Sequence, residues 1–198
     1  MTIHTFHKSR RSGTLRRFGL TILVVLLLVG VYLATLQFIG NFHTVITGEL
    51  YRSGQPNAAA IEDYSRRYGL RTIVNLRGAK PGKPWYDNEV ATARRLGITH
   101  IDFAMSSRRE LKQAEAARLL AMLESAPKPI LIHCEAGADR TSLVSALYLA
   151  HAAKADEESA EGQISLFFGH IGLPLLSPTY AIDRTWEKLE PWLGFKDS

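Results

Sequence analysis

Residues 130–142 read ILIHCEAGADRTS, and this stretch decides the fold. Its first four residues, Ile130–His133, are an apolar run typical of a short buried strand. Gly137 marks a turn over residues 135–140, and the apolar residues of 141–153 predict a helix. A strand, a tight turn and a helix in direct succession are the repeating unit of α/β domains.

The flanking sequence repeats this alternation. Runs rich in β-branched and apolar residues predict strands over residues 45–46, 50–51, 71–76 and 98–104. Apolar residues at helical spacing, with proline or glycine near the ends, predict helices over residues 56–68, 85–96, 111–125, 163–170 and 178–190. The acidic residues 156–161 indicate a helix start or a linker. We therefore expect an α/β fold, with a central, mostly parallel sheet flanked by helices.

A long apolar run precedes this domain. Residues 19–39 read GLTILVVLLLVGVYLATLQFI, 21 residues without a charge, and a helix of that length spans roughly 30 Å, the thickness of a bilayer core. A buried core helix and a cleaved signal peptide are the alternatives, but the run is long for either and lacks a good small-x-small cleavage site. We expect a basic segment (1–18), a transmembrane helix (19–39) with the lipid bilayer as its partner, and the α/β domain (40–198).

The charges around the apolar run predict its orientation. Before the run lie Lys8, Arg10, Arg11, Arg16 and Arg17, whereas only Arg52 follows it closely. The positive-inside rule then places the N-terminus in the cytoplasm and residues 41–198 on the other side. In a Gram-negative bacterium the protein would lie in the inner membrane with this domain in the periplasm.

Composition excludes several classes of protein. The formal net charge is +5, but the five basic residues before the apolar run account for it, so the rest of the chain is balanced and we expect no nucleic-acid partner. The single cysteine, Cys134, allows neither an intramolecular disulfide nor a cysteine-based zinc site. We expect no metal and no cofactor.

Cys134 ends the predicted strand, and Arg140 opens the predicted helix six residues later. A loop that enters a helix points several backbone N–H groups at one spot, at the positive end of the helix dipole, which makes an anion site of phosphate size. Gly137 lets the backbone curl inward, and Arg140 can bind two phosphate oxygens at once. The same field favours the Cys134 thiolate, which is then placed for in-line attack on phosphorus.

The sequence from His133 to Thr141 resembles the H-C-x5-R-[S/T] phosphate loop of the protein tyrosine phosphatase superfamily. Residues 50–56 (LYRSGQP) and 72–77 (TIVNLR) also resemble small bacterial dual-specificity phosphatases. The resemblance implies a phosphoric monoester hydrolase in which Cys134 forms a cysteinyl-phosphate, His133 orients the loop and the Thr141 hydroxyl stabilises the thiolate. The residues then expected to hold the phosphate are Glu135, Ala136, Gly137, Ala138, Asp139 and Arg140.

The substrate implied is a phosphorylated protein or a small phosphate ester. A deep cleft selects phosphotyrosine, and a shallow one admits dual-specificity, phosphoinositide or inositol-phosphate substrates. The resemblance leaves open which residue is the general acid, the group that protonates the leaving group. The family usually places an aspartate on the loop that corresponds to residues 105–110 here, and these residues include no aspartate. The candidates are Asp139, by resemblance to bacterial phosphatases with an aspartate before the arginine, Asp102 and Glu110.

Arg52, Arg77 and Arg108 are candidates for a basic rim, although solvated surface positions are the simpler interpretation for each. Arg77 follows a strand at the edge where α/β sites gather. His170 is interpreted as a structural histidine. Three other functions compete with a phosphatase: a rhodanese-like sulfurtransferase, an inactive module that binds phosphorylated groups, and a membrane scaffold. The histidine before Cys134 and the Arg-Thr pair after the loop favour the phosphatase.

Overall fold

The computed structural model describes the backbone of residues 10–195 and the side chains of residues 15–195. The predicted basic segment therefore lies partly outside the described residues. The chain forms two compact units, Met1–Leu36 and Gln37–Ser198. In the first, helix α1 covers Arg10–Phe38, and its portion Leu15–Phe38 has a mean hydropathy of 2.6. That is long and apolar enough to cross a membrane, a property that signal sequences share.

The second unit is built on one five-stranded sheet. Its strands are β1 (His43–Ile46), β2 (Leu50–Ser53), β3 (Thr72–Asn75), β4 (Thr99–Asp102) and β5 (Ile130–His133). The spatial order is β1-β2-β5-β3-β4, with β1 antiparallel to β2 and every other pair parallel. The predicted α/β fold with a mostly parallel sheet is confirmed.

Helices cover both faces of this sheet. They are α2 (Ala58–Tyr68), α3 (Pro84–Leu96), α4 (Gln113–Ser125), α5 (Asp139–His151), α6 (Glu157–Glu161) and α7 (Ala181–Leu193). The ends follow from local chemistry. The Asn57 side chain caps α2 by accepting from the Ala60 amide, and glycines in the left-handed conformation, Gly69 and Gly97, end α2 and α3.

The strand at the centre of the sheet carries the site. All four residues of β5 are buried, and His133 aligns with Ser53 of β2 on one side and with Asn75 of β3 on the other. Two apolar clusters enclose β5, the larger of which holds α4, α5 and α7 against the sheet. Because parallel strands end at the same edge, the residues that follow β2, β3 and β5 converge there.

Two predicted helices differ from the structure. Residues 163–170 contain only a short 3₁₀ turn, Leu166–Phe168, which Gly169 ends at φ +87°. Residues 178–190 begin as a separate 3₁₀ turn, Pro178–Tyr180, and α7 then extends to Leu193. In the first case tertiary contacts overrule the helical pattern, since the carbonyl of Gln163 and the ring of Phe168 are both engaged by a buried arginine.

Candidate active site

Cys134 stands at the carboxyl edge of the central strand, directly after β5, and only 2% of it is exposed. The loop that follows ends at Ala138, and α5 begins at Asp139. The helix therefore starts two residues earlier than predicted, so Asp139 and Arg140 belong to its first turn. The amides of this turn lie at the positive end of the helix dipole, where an anion is stabilised.

The loop is packed against the turn that follows β2. Gly137 has φ +72°, and a Cβ there would lie 2.6 Å from the backbone nitrogen of Gly54. The amide of Gln55 donates a hydrogen bond of 2.9 Å to the carbonyl of Glu135. The positive φ and the close approach to Gly54 require a residue without a side chain at position 137, as predicted for a loop that curls inward.

The Arg140 side chain keeps hydrogen-bonding capacity. Its Nη1 donates to the carbonyl of Leu76, after β3, at 3.3 Å. Within the described residues its buried Nε has no partner, and neither does the buried hydroxyl of Thr141. Buried polar groups are nearly always paired in folded proteins, so these two unpaired groups beside the cysteine loop mark a polar site.

Arg52 is not a surface residue. The simpler interpretation given above was wrong, because its side chain is fully buried and its guanidinium lies 3.8 Å from the centroid of the Phe168 ring. Its Nη2 donates to the Gly137 carbonyl at 2.9 Å and to the Ser142 hydroxyl at 2.6 Å. Its Nη1 bonds the side chain and the carbonyl of Gln163. The arginine thus supports the cysteine loop from within the protein.

The buried guanidinium has no carboxylate among these hydrogen-bond partners. Burial lowers the pKa of Arg52 to about 9, and attraction to Cys134 opposes that shift. The side chain is still cationic at neutral pH. A buried cation without an acidic partner is costly, and Cys134 is the acidic group whose attraction favours the charged form of Arg52.

A second buried network lies behind His133. Oε1 of Glu89 accepts hydrogen bonds from His100 at 2.7 Å and from His133 at 3.1 Å, and Oε2 accepts one from Gln55. The Nδ1 of His133 lies 3.2 Å from the carbonyl oxygen of Cys134. Burial raises the pKa of Glu89, but the hydrogen bonds from the two histidines outweigh it and lower the pKa to about 2. Glu89 is therefore a buried carboxylate that fixes His133.

Asp139 is held by a histidine. Nδ1 of His170 bonds its carboxylate at 2.8 Å, and Nε2 of the same ring bonds Asp183 at 3.0 Å. His170 is 4% exposed. Burial lowers its pKa, but the hydrogen bonds to Asp139 and Asp183 outweigh burial, so the net pKa is raised. The residue has a structural partner, as expected, but that partner is the candidate acid itself.

The two other candidate acids are engaged elsewhere. Asp102, the last residue of β4, accepts hydrogen bonds from Asn75 at 2.8 Å and from Tyr86 at 2.6 Å. Glu110 pairs with Arg184 at 2.7 Å and with Lys188 at 2.5 Å on the surface. Neither is bonded to the cysteine loop among the described contacts.

The comparisons with known proteins fit this geometry. Residues 39–161 match the model of the tyrosine phosphatase family. The chain belongs to that family. A comparison with curated proteins finds no significant match.

Several solved structures share the phosphatase fold. TpbA from P. aeruginosa is 22% identical with a TM-score of 0.58, covering 78% of this chain and 91% of its own. A cysteine-to-serine variant of TpbA with phosphotyrosine is 21% identical, with a TM-score of 0.59 over 78% and 90%. The catalytic domain of the PP-IP phosphatase SIW14 from S. cerevisiae, with citrate, is 21% identical, with a TM-score of 0.56 over 78% and 93%. At these identities the likeness concerns the fold.

The candidate site brings together most of the predicted residues. The arginines of the predicted rim separate: Arg77 stacks on Trp85 at 3.7 Å and lies 3.5 Å from Glu135 of the loop, whereas Arg108 is exposed on the loop after β4. Arg77 also donates to Gln55, which links it to Glu89. Of these three arginines, Arg77 is therefore the one that lies beside the exposed Glu135 of the cysteine loop.

Sequence reasoning missed Glu89 and the buried role of Arg52, the two residues that support the loop from within the protein. Glu89 lies on a helix whose other acidic residue is at its exposed start, so nothing in the pattern singled it out. The sequence indicates Arg52 only as a candidate for a surface rim, and no signal in the sequence around the predicted strand 50–51 indicates that its side chain is buried.

Replacing Arg52 by methionine is expected to slow alkylation of Cys134 by iodoacetamide near pH 6 about tenfold, because the cation that stabilises the thiolate is lost. Since Cys134 is the only cysteine, the alkylation rate of the full chain reports on it alone. Arg52→Lys keeps a charge and is expected to lose less, and Arg108→Met, at an exposed position, is the control. A methionine variant that alkylates at the wild-type rate would show that Arg52 has no electrostatic role.

Replacing Glu89 by glutamine is expected to cost about 3 kcal/mol of unfolding free energy at pH 7, because two histidines lose their anionic partner. The folded-state pKa of Glu89, about 2, is below its ordinary value of 4.5. Its contribution is therefore fully present above about pH 4.5 and is lost as the pH falls towards about 2. Urea unfolding of both proteins at pH 7 and pH 3 tests this.

The matched control for that measurement is Glu62→Gln, which removes an exposed ion pair with Arg95 and should change stability little. A gap between wild type and Glu89→Gln that stays constant from pH 7 to pH 3 would contradict the assigned carboxylate.

Proposed function

We propose that this protein is a membrane-anchored phosphatase that hydrolyses phosphate monoesters through a cysteinyl-phosphate on Cys134. The observation that supports it is the loop between β5 and α5. It joins a buried thiol, a helix N-terminus and an arginine with an unpaired buried N–H. Neither a rhodanese-like reaction nor a purely structural role explains why Cys134 and Arg140 occur together in this loop. Inactive phosphate-binding modules usually lack one of these two residues.

The proposed reaction has two steps. The Cys134 thiolate attacks phosphorus, so that an S–P bond forms while the bond to the leaving oxygen breaks, and Asp139 gives that oxygen a proton. Arg140 and the amides of Glu135, Ala136, Gly137, Ala138, Asp139 and Arg140 hold the three remaining oxygens. Water then attacks phosphorus and gives a proton to the Asp139 carboxylate while the S–P bond breaks, which releases inorganic phosphate and restores both the thiolate and the acid. His133 positions the loop, and the Thr141 hydroxyl stabilises the thiolate as it leaves.

The position of Asp139 supports its role as the acid. It stands in the first turn of α5, next to Arg140, and 26% of its side chain is exposed towards solvent. The contact with His170 fixes the carboxyl group in one orientation and provides a partner for proton exchange. By contrast, Asp102 and Glu110 make hydrogen bonds that hold them on β4 and on the surface near α7.

We propose phosphotyrosine or dual-specificity phosphoprotein substrates. The complex of the TpbA variant with phosphotyrosine, a protein of the same fold, supports this class. The second candidate is a phosphoinositide or inositol phosphate. Two observations favour it. One is the likeness to SIW14, a PP-IP phosphatase. The other is that the proposed acid, Asp139, adjoins the phosphate loop, whereas residues 105–110 include no aspartate.

Hydrolysis of p-nitrophenyl phosphate and of a phosphotyrosine peptide by the full chain in detergent tests the proposal. The wild type is expected to turn over both, and Cys134→Ser and Arg140→Ala are expected to turn over neither. Asp139→Asn should lose at least about 100-fold in kcat on phosphotyrosine. Its loss should be smaller on p-nitrophenyl phosphate, whose leaving group needs less protonation. Side-by-side turnover of a phosphoinositide ranks the second candidate.

Two results would overturn parts of this mechanism. A wild type that binds phosphate but hydrolyses no ester would make the domain an inactive binding module. An Asp139→Asn variant with equal losses on both leaving groups would mean that Asp139 acts on binding and not as the acid. Asp183→Asn is the comparison for the latter, since it alters the same hydrogen-bonded chain without touching the loop.

We further propose that α1 spans the membrane, with the N-terminus in the cytoplasm and residues 41–198 on the opposite side, the periplasm if the host is a Gram-negative bacterium. The five basic residues before the span support this orientation. Alkaline phosphatase fused after Ser198 is expected to be active, and a fluorescent protein at the same position dark. The reverse pattern would place the catalytic domain in the cytoplasm.

A further inference from the structure

The exposed apolar side chains of the second unit are concentrated in one segment. Beyond Ile39, all the large hydrophobic side chains that are exposed among the described residues lie between positions 166 and 176: Leu166, Phe167, Ile171, Leu173, Leu175 and Leu176. Residues 166–176 read LFFGHIGLPLL and contain no charged residue except the buried His170, if it is protonated. We call this stretch the apolar segment. Such a patch on a soluble surface marks an interaction site.

The tip of the apolar segment is a tight turn. The amides of Leu176 and Ser177 both donate to the carbonyl of Leu173, at 3.1 and 2.8 Å. Leu175 stands at this tip with φ +65° and is fully exposed, and Leu176 is 80% exposed. A turn that closes its own hydrogen bonds while turning leucines outward is suited to shallow insertion into an apolar phase, where backbone groups cannot be left unpaired.

The apolar segment is fastened to the start of this unit. The side chain of Asn41, itself 1% exposed, donates to the carbonyl of Phe168 at 2.9 Å and to the carbonyl of Ala136, in the cysteine loop, at 3.0 Å. The candidate membrane span ends at Phe38, three residues earlier. Three residues reach at most about 11 Å. Phe168 and Ala136 are therefore both tied to a residue that follows the end of the span by three positions.

We propose that the apolar segment docks on the bilayer that α1 crosses, with Leu173, Leu175 and Leu176 inserted among the lipids. This inference rests on the proposed membrane span and not on the proposed chemistry. The lipid surface is the occupant because the chain itself holds it within reach, at a high effective concentration, whereas another protein must find this face by diffusion.

The charges on the residues around the apolar segment indicate whether docking depends on the headgroup charge of the lipid. In residues 154–188, which flank the apolar segment on both sides, acidic residues outnumber basic ones. A surface of that sign is not attracted to anionic headgroups. Docking is thus driven by the leucine side chains, and a zwitterionic bilayer of phosphatidylcholine suffices. The contact is expected to persist at high salt, since burial of apolar surface is not screened by ions.

The test places a nitroxide label on Leu175→Cys in the full chain, in a Cys134→Ser background so that the label has one site. The protein is incorporated into phosphatidylcholine nanodiscs. Collision of the label with oxygen, which concentrates in lipid, is compared with its collision with a water-soluble nickel chelate. The control is a label on Ala117→Cys, an exposed position on α4. We expect an oxygen-to-nickel ratio several-fold higher at position 175 than at position 117, in low and in high salt.

Each contrary outcome is distinct. Equal ratios at the two positions would overturn the proposal. Low collision with both reagents at position 175 would mean that a second copy or another protein covers the apolar segment instead. Failure of the chain to enter nanodiscs would remove the membrane span and the docking with it. None of these outcomes bears on hydrolysis, because the background variant is expected to be inactive and p-nitrophenyl phosphate turnover is measured separately on the wild type.

Discussion

The buried guanidinium of Arg52 is the constraint on which the rest of the site depends. The side chain extends from β2 and donates hydrogen bonds to the Gly137 carbonyl of the cysteine loop and to the Ser142 hydroxyl on α5. It also bonds Gln163 and faces the ring of Phe168. Four parts of the chain are thereby fixed around one cation. A desolvated charge in such a position destabilises the fold unless its hydrogen bonds are satisfied and an anion lies nearby.

The need to offset the charge of Arg52 links the stability of the fold to the chemistry of the site. Neutral acceptors bond Nη1 and Nη2 of Arg52, and its buried Nε has no partner among the described residues, so no hydrogen-bond partner offsets its charge. Burial lowers the pKa of Arg52, and attraction to Cys134 opposes that shift. Cys134 directly precedes the loop that leads into the N-terminus of α5. A loop held in this way favours an anion even before substrate binds, and a preorganised electrostatic site is the main means by which enzymes stabilise transition states.

The sequence was sufficient for the parts of the site that are contiguous. The buried strand, Gly137 and the Cys134–Arg140 spacing lie within eleven residues, so local chemistry alone determines their arrangement. The buried roles of Arg52 and Glu89 could not be found in this way, because each arises only when strands or helices distant in sequence pack together. The helix predicted over 163–170 failed for the same reason, since Gln163 bonds Arg52 and His170 bonds Asp139, two residues that lie elsewhere in the sequence.

The cysteine loop is thus supported by two buried networks of opposite sign. Arg52 brings a cation to its carbonyl groups, and Glu89 brings an anion to His133 at its start. If either charge stood alone, water would enter to solvate it and the loop would lose its shape. Because each is bonded to fixed partners, both charges can remain buried and the loop keeps its shape while the Nε–H of Arg140 stays unpaired among the described residues. Asp139 combines a position fixed by its bond to His170 with partial exposure to solvent, and these are the two properties that the proposed acid requires.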